Sequence, residues 1–214
     1  MCRPLLLSEK TVQKALTDII RQLPAIESTA RNFKDLIIAN AVMISEIPSP
    51  TFKEEDRIAF VQNRFMEAGL LNSSTDEMNN ALGILPGENG TRNILLVAHA
   101  DTVFSEKIDH TIQVKPETLV GPTIADNSLG LAALVSLPQL LERMNIKLSS
   151  NLILMGGTRS LGRGNLEGIR FFLSNAKMPI HFGVCVEGVQ LGRLSYSSVG
   201  MIRGEIRCTV PEEN

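Results

Sequence analysis

Asn93-Ile-Leu-Leu-Val-Ala98 is an unbroken apolar run, and His99-Ala-Asp101-Thr-Val103 follows it directly. Such a run is typical of a strand buried on both faces, as in a parallel sheet. Open α/β sheets bind their ligands at the carboxyl ends of the strands, where His99 is expected. An acid two residues later, Asp101, can accept a hydrogen bond from one ring nitrogen and leave the other for a metal. A surface histidine beside a turn aspartate gives the same pattern, so this stretch alone leaves both interpretations open.

The rest of the chain alternates predicted strands with predicted helices. We expect strands at 80–85, 93–98, 151–155 and 182–186, and helices at 8–23, 28–46, 53–68, 126–144 and 165–173. Helices of this length between strands indicate βαβ units. The predicted fold class is therefore α/β, a three-layer α/β/α domain around a mostly parallel, mixed sheet. Residues 1–46 are predicted to form an N-terminal helical segment packed on the domain that 47–214 form.

Local signals add detail to this prediction. Gly69 is expected to end the third helix, and Pro138 to kink or split the fourth. The alternating residues around Lys115-Pro-Glu117 predict a short hairpin between 111 and 120. Residues 201–210 alternate apolar and polar side chains, which predicts a further strand with one buried face.

Composition and charge exclude several classes of function. The chain is 43% hydrophobic and 21% charged, as in an ordinary globular protein. A net charge of −2 provides no basic face, so no nucleic-acid partner is expected. We see no secretory signal and no membrane-spanning run, so we expect a cytoplasmic protein without a membrane partner. Cys2, Cys185 and Cys208 form no CxxC pair, which argues against a disulfide framework or structural zinc, and Cys185 is expected in the core.

Two acids at other strand ends complete a candidate metal site with His99. Asp126 lies in Gly121-Pro-Thr-Ile-Ala-Asp126-Asn-Ser-Leu-Gly130, at the start of a predicted helix, and Glu187 ends the predicted strand Gly183-Val-Cys-Val. Taken singly, Asp126 fits a helix N-cap and Glu187 fits a polar strand end. Together, one imidazole and two carboxylates form a nitrogen and oxygen set suited to Zn²⁺, Mn²⁺ or Co²⁺.

These motifs, in this order, resemble the co-catalytic zinc peptidases and deacylases. That family includes tripeptidase T, glutamate carboxypeptidase, acetylornithine deacetylase and succinyl-diaminopimelate desuccinylase. The match runs from Ile47-Pro-Ser-Pro50 to Gly200 and has 27 positions between His99 and Asp126. The resemblance implies that His99 and Glu187 are terminal ligands of one metal, that Asp126 is a bridging ligand, and that Asp101 orients His99. It also implies hydrolysis of small peptides or N-acyl amino acids.

The resemblance breaks within Met155-Gly-Gly-Thr-Arg-Ser-Leu-Gly-Arg-Gly164. Here the family carries two consecutive glutamates, a general base and a ligand of the second metal. Alignment on Gly162 and Gly164 places Ser160 at the base position and Leu161 at the ligand position, and neither is expected to function. We therefore expect one zinc ion per chain rather than two, with Mn²⁺ or Co²⁺ as alternatives. Loss of the base predicts that hydrolysis is slower by about 10²–10⁴-fold, or that it does not occur at all.

The family's final histidine ligand and its lid domain, which carries the dimer contacts, would lie beyond residue 210. The chain thus resembles a truncated enzyme with a degenerate active site, and its oligomeric state stays open. A non-catalytic binding or assembly protein on the same fold is the first alternative. A second is a phosphate site in the glycine-rich turn 156–164 with Arg159 and Arg163, although it matches no standard phosphate-binding motif. Ser160 as a nucleophile is less favoured still, because no histidine base is near it in sequence.

Overall fold

The computed structural model describes residues 8–190, 192–197 and 207–208. Its helices are α1 (Glu9–Asn32), α2 (Lys34–Ser45), α3 (Glu55–Glu67), α4 (Leu129–Arg143) and α5 (Glu167–Asn175). Its strands are β1 (Leu71–Thr75), β2 (Ala81–Leu85), β3 (Asn93–His99), β4 (Gln113–Val114), β5 (Leu119–Val120), β6 (Asn151–Gly157) and β7 (Phe182–Cys185). The predicted strand at 201–210 lies outside the described residues, apart from 207–208.

Five strands form one mixed sheet in the order β1-β2-β6-β3-β7. Strand β3 lies parallel to both β6 and β7, whereas β2 lies antiparallel to β6 and to β1. The predicted α/β class and mixed sheet are confirmed. Strand β1, Leu-Asn-Ser-Ser-Thr, was not predicted because its polar residues lack the apolar signal of a buried strand, and it pairs at an edge of the sheet.

Helices cover both faces of the sheet, because alternate residues of its central strands point to opposite sides. Leu152 and Leu154 of β6 join a core cluster with α2, α3 and α4. Ile153 and Met155 of the same strand join a second cluster with Phe172 of α5. This period of two produces the three predicted layers.

Helix α4 continues through Pro138, so the expected split does not occur. Pro138 is buried, and its missing N–H costs the helix one hydrogen bond without ending it. Together with the turn before it, Ile124–Arg143 is long and apolar enough to cross a membrane by length and composition. Half of that stretch is buried inside the protein, since Leu131 and Leu134 are core residues, so α4 is accounted for as a core helix.

The N-terminal helices differ from the prediction in their bounds. Helix α1 runs through Pro24 to Asn32, where we expected an end at residue 23 and a new helix at 28. Helix α2 places Ala41 and Ile44 in the main core, while the described side chains of α1 are half-buried or exposed. The predicted domain boundary at residue 46 stays a prediction.

Three smaller expectations have clear outcomes. Gly69 follows α3 with a φ of 70°, the left-handed conformation that ends a helix at low cost in glycine. Cys185, expected in the core, is exposed, because it lies on β7 at the edge of the sheet. The hairpin is confirmed as β4 and β5.

Candidate metal site

The site lies where the carboxyl ends of β3, β6 and β7 meet. His99 is the last residue of β3 and is paired with Gly157, the last residue of β6. Because β7 is also parallel to β3, the segment after β7 that carries Glu187 leaves the sheet at the same edge. Asp126 reaches this edge from the irregular turn that precedes α4.

His99, Asp126 and Glu187 come together as the sequence predicted. The Nε2 atom of His99 lies 2.9 Å from Oδ1 of Asp126 and 3.6 Å from Oε2 of Glu187. One ligand atom from each residue lies within 4.8 Å of the other two. The His99 side chain is buried, whereas the side chains of Asp126 and Glu187 are about half exposed, at 52% and 51%. The three donors therefore converge on one point that is open to solvent.

The far ring nitrogen of His99 is held by the backbone. Its Nδ1 lies 2.9 Å from the main-chain carbonyl oxygen of Asp101 and 3.5 Å from the Oδ1 atom of the same residue. A carbonyl oxygen can only accept, so Nδ1 carries a proton and donates it, while Nε2 faces the two acids. The prediction assigned this bond to the Asp101 carboxylate. In the structure the main-chain oxygen is the nearer acceptor.

The Asp101 carboxylate is fully buried and, besides its longer contact with His99, bonds to the segment after β6. It accepts N–H bonds from Ser160 at 3.0 Å and Leu161 at 2.7 Å, and a hydroxyl bond from Thr51 at 2.9 Å. Burial favours its neutral form, but the hydrogen bonds with His99, Leu161 and Ser160 outweigh that effect and lower the pKa of Asp101. Asp101 is therefore a buried anion directly behind His99.

These charges also act on His99. Burial opposes its charged form, but hydrogen bonds to Asp101 and Glu187, together with their charges, raise the pKa of His99 to about 10. The site thus favours a positive charge at the Nε2 position. A metal cation bound to Nε2 would take the place of the proton and satisfy the same acids.

Asn127 connects the two segments that carry the acids. Its Nδ2 donates to the carbonyl oxygen of Val186 at 2.8 Å, and its Oδ1 accepts from the N–H of Gly188 at 3.1 Å. Glu187 lies between these two residues in sequence, so Asn127 fixes the position of its backbone next to Asp126. Gly130 leaves room for this contact, because a Cβ there would collide with Oδ1 of Asn127. Asn127 was not predicted as a site residue, and its position next to Asp126 is the signal that could have indicated it.

The segment after β6 brings no carboxylate to the site. Ser160 and Leu161 are half-buried, and their backbone N–H groups are the atoms bonded to Asp101. Glu54 is buried close by, and its Oε1 accepts from the N–H groups of Phe52 and Arg159. Burial raises the pKa of Glu54, although these two bonds lower it in part. Glu54 was not predicted, because nothing in the local pattern marks it as buried.

Arg57 is a second buried charge that the sequence analysis missed. Its guanidinium donates to the carbonyl oxygens of Ile47, at 2.5 Å, and Ala100, at 3.1 Å. Burial lowers its pKa to about 10. These bonds join the segment before α3 to Ala100, which lies between His99 and Asp101. Arg57 therefore holds the backbone next to the site in place.

The backbone of the glycine-rich turn is already hydrogen-bonded. The N–H groups of Arg159, Ser160 and Leu161 donate to Glu54 and Asp101, and the N–H of Glu167 at the start of α5 donates to the Arg159 carbonyl oxygen. The Arg159 side chain donates to Glu167 at 2.9 Å. A phosphate would have to displace these bonds, so the geometry does not favour the phosphate-binding alternative.

Neither a protein-family model nor a curated protein sequence matches the chain. Solved structures do. The aminopeptidase PepT of Bacillus cereus has a TM-score of 0.58 and 19% identity over 72% of this chain. The dipeptidase Dug1p of Saccharomyces cerevisiae has a TM-score of 0.62 and 11% identity over 77%. The M20 family metallo-carboxypeptidase Sso-CP2 of Sulfolobus solfataricus has a TM-score of 0.56 and 13% identity over 70%.

The matched region is less than half of each of these proteins, at 43%, 41% and 37% of their lengths. At such low identity the likeness concerns the fold. The described chain therefore shares its fold with a region of each of these peptidases. His99, Asp126 and Glu187 lie together at one edge of its sheet.

Proposed function

We propose that the chain binds one divalent metal ion, zinc first and Mn²⁺ or Co²⁺ as alternatives, through His99, Asp126 and Glu187. The observation that carries the proposal is the convergence of three ligand atoms within 4.8 Å of one another. An imidazole nitrogen and two carboxylate oxygens are ordinary zinc ligands, and a bound water can complete four-coordination. Asp101, behind His99, is the kind of acid that orients a ligating histidine.

We further propose that the chain belongs to the zinc peptidases and deacylases by descent and hydrolyses amide bonds weakly or not at all. Small peptides or N-acyl amino acids would be its substrates. A bound metal of this kind polarises a carbonyl and lowers the pKa of its water. The protein must then accept a proton from that water, and Ser160, at the family's base position, is too weak a base. The loss corresponds to about 10²–10⁴-fold in rate.

Nearby acids do not replace the missing base in this proposal. Glu54 is buried and is bonded to the N–H groups of Phe52 and Arg159. Glu167 is bonded to the Arg159 guanidinium. Asp126 and Glu187, as metal ligands, would have their charge neutralised by the cation. A single metal with no free carboxylate beside it among the described residues fits a binding protein better than an efficient hydrolase.

A binding or assembly role on the same fold is the second candidate. The observation that favours it is the edge strand β7, whose Phe182 and Val184 are exposed at 59% and 45%. An exposed apolar edge strand can pair with another chain. A cytoplasmic location remains a prediction.

Metal analysis combined with a hydrolysis assay tests the proposal. Purified chain is loaded with Zn²⁺, desalted and analysed for bound metal, and then assayed on dipeptides, tripeptides and N-acyl amino acids. We expect about one zinc per chain in the wild type, and a loss of binding in His99→Ala, Asp126→Asn and Glu187→Gln. Glu117→Gln, at an exposed position in the hairpin turn, is the matched control and should bind normally.

The outcomes separate the parts of the proposal. One metal with little or no turnover supports it. No bound metal, or binding unchanged in the three ligand variants, rejects the metal site. Two metals with rapid hydrolysis reject the proposed loss of the base and of the second site.

A further inference from the structure

Helix α1 carries a seam of exposed apolar side chains. Val12, Leu16, Ile19 and Leu23 are 41%, 48%, 54% and 49% exposed, and Ile20 beside them is 63% exposed. None of the described side chains of this 24-residue helix is buried, whereas α2, α3 and α4 each bury several and α5 buries Phe172. The half-buried residues Ile26, Thr29 and Ala30 lie near its C-terminal end, so the seam over 12–23 has no cover from the described part of the chain.

The spacing of the seam fits a second helix. Val12, Leu16, Ile19 and Leu23 follow one another by four, three and four residues, the a and d pattern of a two-helix coiled coil. The pattern continues through Ile26 and Ala30 at the end that packs on the protein itself. A seam at the a and d positions is the packing geometry of paired helices in a coiled coil.

The positions that flank the seam permit self-pairing. They are occupied by Gln13, Ala15, Ile20 and Gln22, none of which is charged. Two copies therefore bring no like charges together, and Ile20 widens the apolar contact. The charged residues Lys10, Lys14, Asp18 and Arg21 lie on the other faces and include both signs.

We infer that the occupant of the seam is α1 of a second copy of this chain, in an antiparallel two-helix contact. In this register Val12 lies opposite Leu23 of the second copy, and Leu16 lies opposite Ile19. The contact is two-fold symmetric, so every exposed seam residue is covered once from each side. The antiparallel direction places the two α/β domains at opposite ends of the helix pair.

The size of the contact is adequate for a dimer. A 24-residue helix is about 36 Å long. Pairing the free part of two such helices removes on the order of 1,000 Å² from water, the lower end for a specific interface. A membrane surface is a less suitable occupant, because the polar faces mix acidic and basic residues and the helix contains no aromatic residue.

Sedimentation velocity of the full 214-residue chain over a hundredfold concentration range tests the contact. We expect a reversible dimer of twice the 23.4 kDa chain mass. The double variant Leu16→Glu, Ile19→Glu should be monomeric at every concentration, with unchanged sheet and helix signals in circular dichroism. Val114→Glu, at a site on the β4 hairpin that is 60% exposed, is the matched control and should dimerise like the wild type.

Spin labels test the direction of the pairing. With Cys2, Cys185 and Cys208 replaced by serine, a label at Lys10→Cys should give an axial separation of about 22 Å in the antiparallel dimer. A separation of about 10 Å would mean a parallel pair and would overturn this register. A wild-type chain that stays monomeric, or a dimer that survives the Leu16→Glu, Ile19→Glu change, overturns the inference. So does a monomer that binds phosphatidylserine vesicles through these two residues, which would assign the seam to a membrane.

Discussion

The carboxylate of Asp101 accepts a hydrogen bond from the backbone N–H of Leu161 at 2.7 Å. Through this bond the segment after β3 is tied to the segment after β6. The side chain of residue 161 is thus free to vary while its backbone is fixed. The anchor of the site is the buried acid, and it does not depend on what the side chains of 160 and 161 can do.

Asp101→Asn should destabilise the fold. An asparagine can accept only one of the two N–H bonds with its oxygen, and its own NH₂ would face the other donor. Loss of a hydrogen bond to a charged group of this kind costs about 1.5–3 kcal/mol. Urea unfolding measures the change, and Glu117→Gln should alter stability by less than about 0.5 kcal/mol. Equal unfolding midpoints for Asp101→Asn and the wild type would contradict this account of the anchor.

Gly130→Ala should weaken both the fold and zinc binding. The added Cβ would collide with Oδ1 of Asn127 and lie 2.6 Å from the Val186 carbonyl oxygen, so Asn127 or the segment with Glu187 must move. Overpacking of this kind costs about 1–3 kcal/mol. Thermal unfolding and zinc titration report the two effects. Gly183→Ala is the control, because no atom lies within 4 Å of its Cβ position, and a loss of similar size there would remove the steric explanation.

Restoring two glutamates should not restore a second metal. In the double variant Ser160→Glu, Leu161→Glu the backbone N–H bonds to Asp101 can persist, since they do not involve the side chains. Under the proposed function the metal stays on His99, Asp126 and Glu187, and the two added carboxylates bring no histidine to a second position. We therefore expect about one zinc per chain by elemental analysis. A rise towards two metals would mean that another residue of this chain already supplies that ligand.

Glu54→Gln should change how stability depends on pH. Burial raises the pKa of Glu54 above its ordinary value of 4.5, so the folded chain holds this proton more tightly than the unfolded chain. The proton's contribution to stability is complete below pH 4.5 and is lost as the pH rises through the folded-state pKa. Glutamine has no such titration. Relative to the wild type, the variant should therefore gain stability as the pH rises from 4.5 towards neutrality.

Unfolding free energies of both proteins over that pH range provide the check. Glu117→Gln removes an exposed carboxylate and serves as the matched control. If the difference in unfolding free energy between Glu54→Gln and the wild type is the same at every pH, then Glu54 titrates alike in the folded and the unfolded chain, and the prediction is wrong.

Local pattern predicted the central elements because their signals are strong. The apolar run before His99 and the alternation of strands with helices each indicate one structure. Local sequence pattern gave wrong or missing elements where tertiary packing determines the secondary structure. Pro138 lies within a continuous α4 because the helix is held in the core, and β1 is a strand because β2 offers it a partner. Neither the continuous α4 nor the pairing of β1 with β2 can be predicted from the neighbouring residues in the sequence alone.

The sequence by itself determined the α/β class and placed His99 and Glu187 at the ends of parallel strands, which meet at one edge of the sheet. Asp126 reaches the same edge from the turn before α4. Only the tertiary structure decided which hydrogen bonds fix the positions of these site residues. His99 is oriented through a main-chain oxygen, Asp101 binds a backbone distant in sequence, and Asn127 joins the segments that carry the acids. These bonds join residues up to 60 positions apart in the chain. Their existence depends on distances that only packing in three dimensions creates.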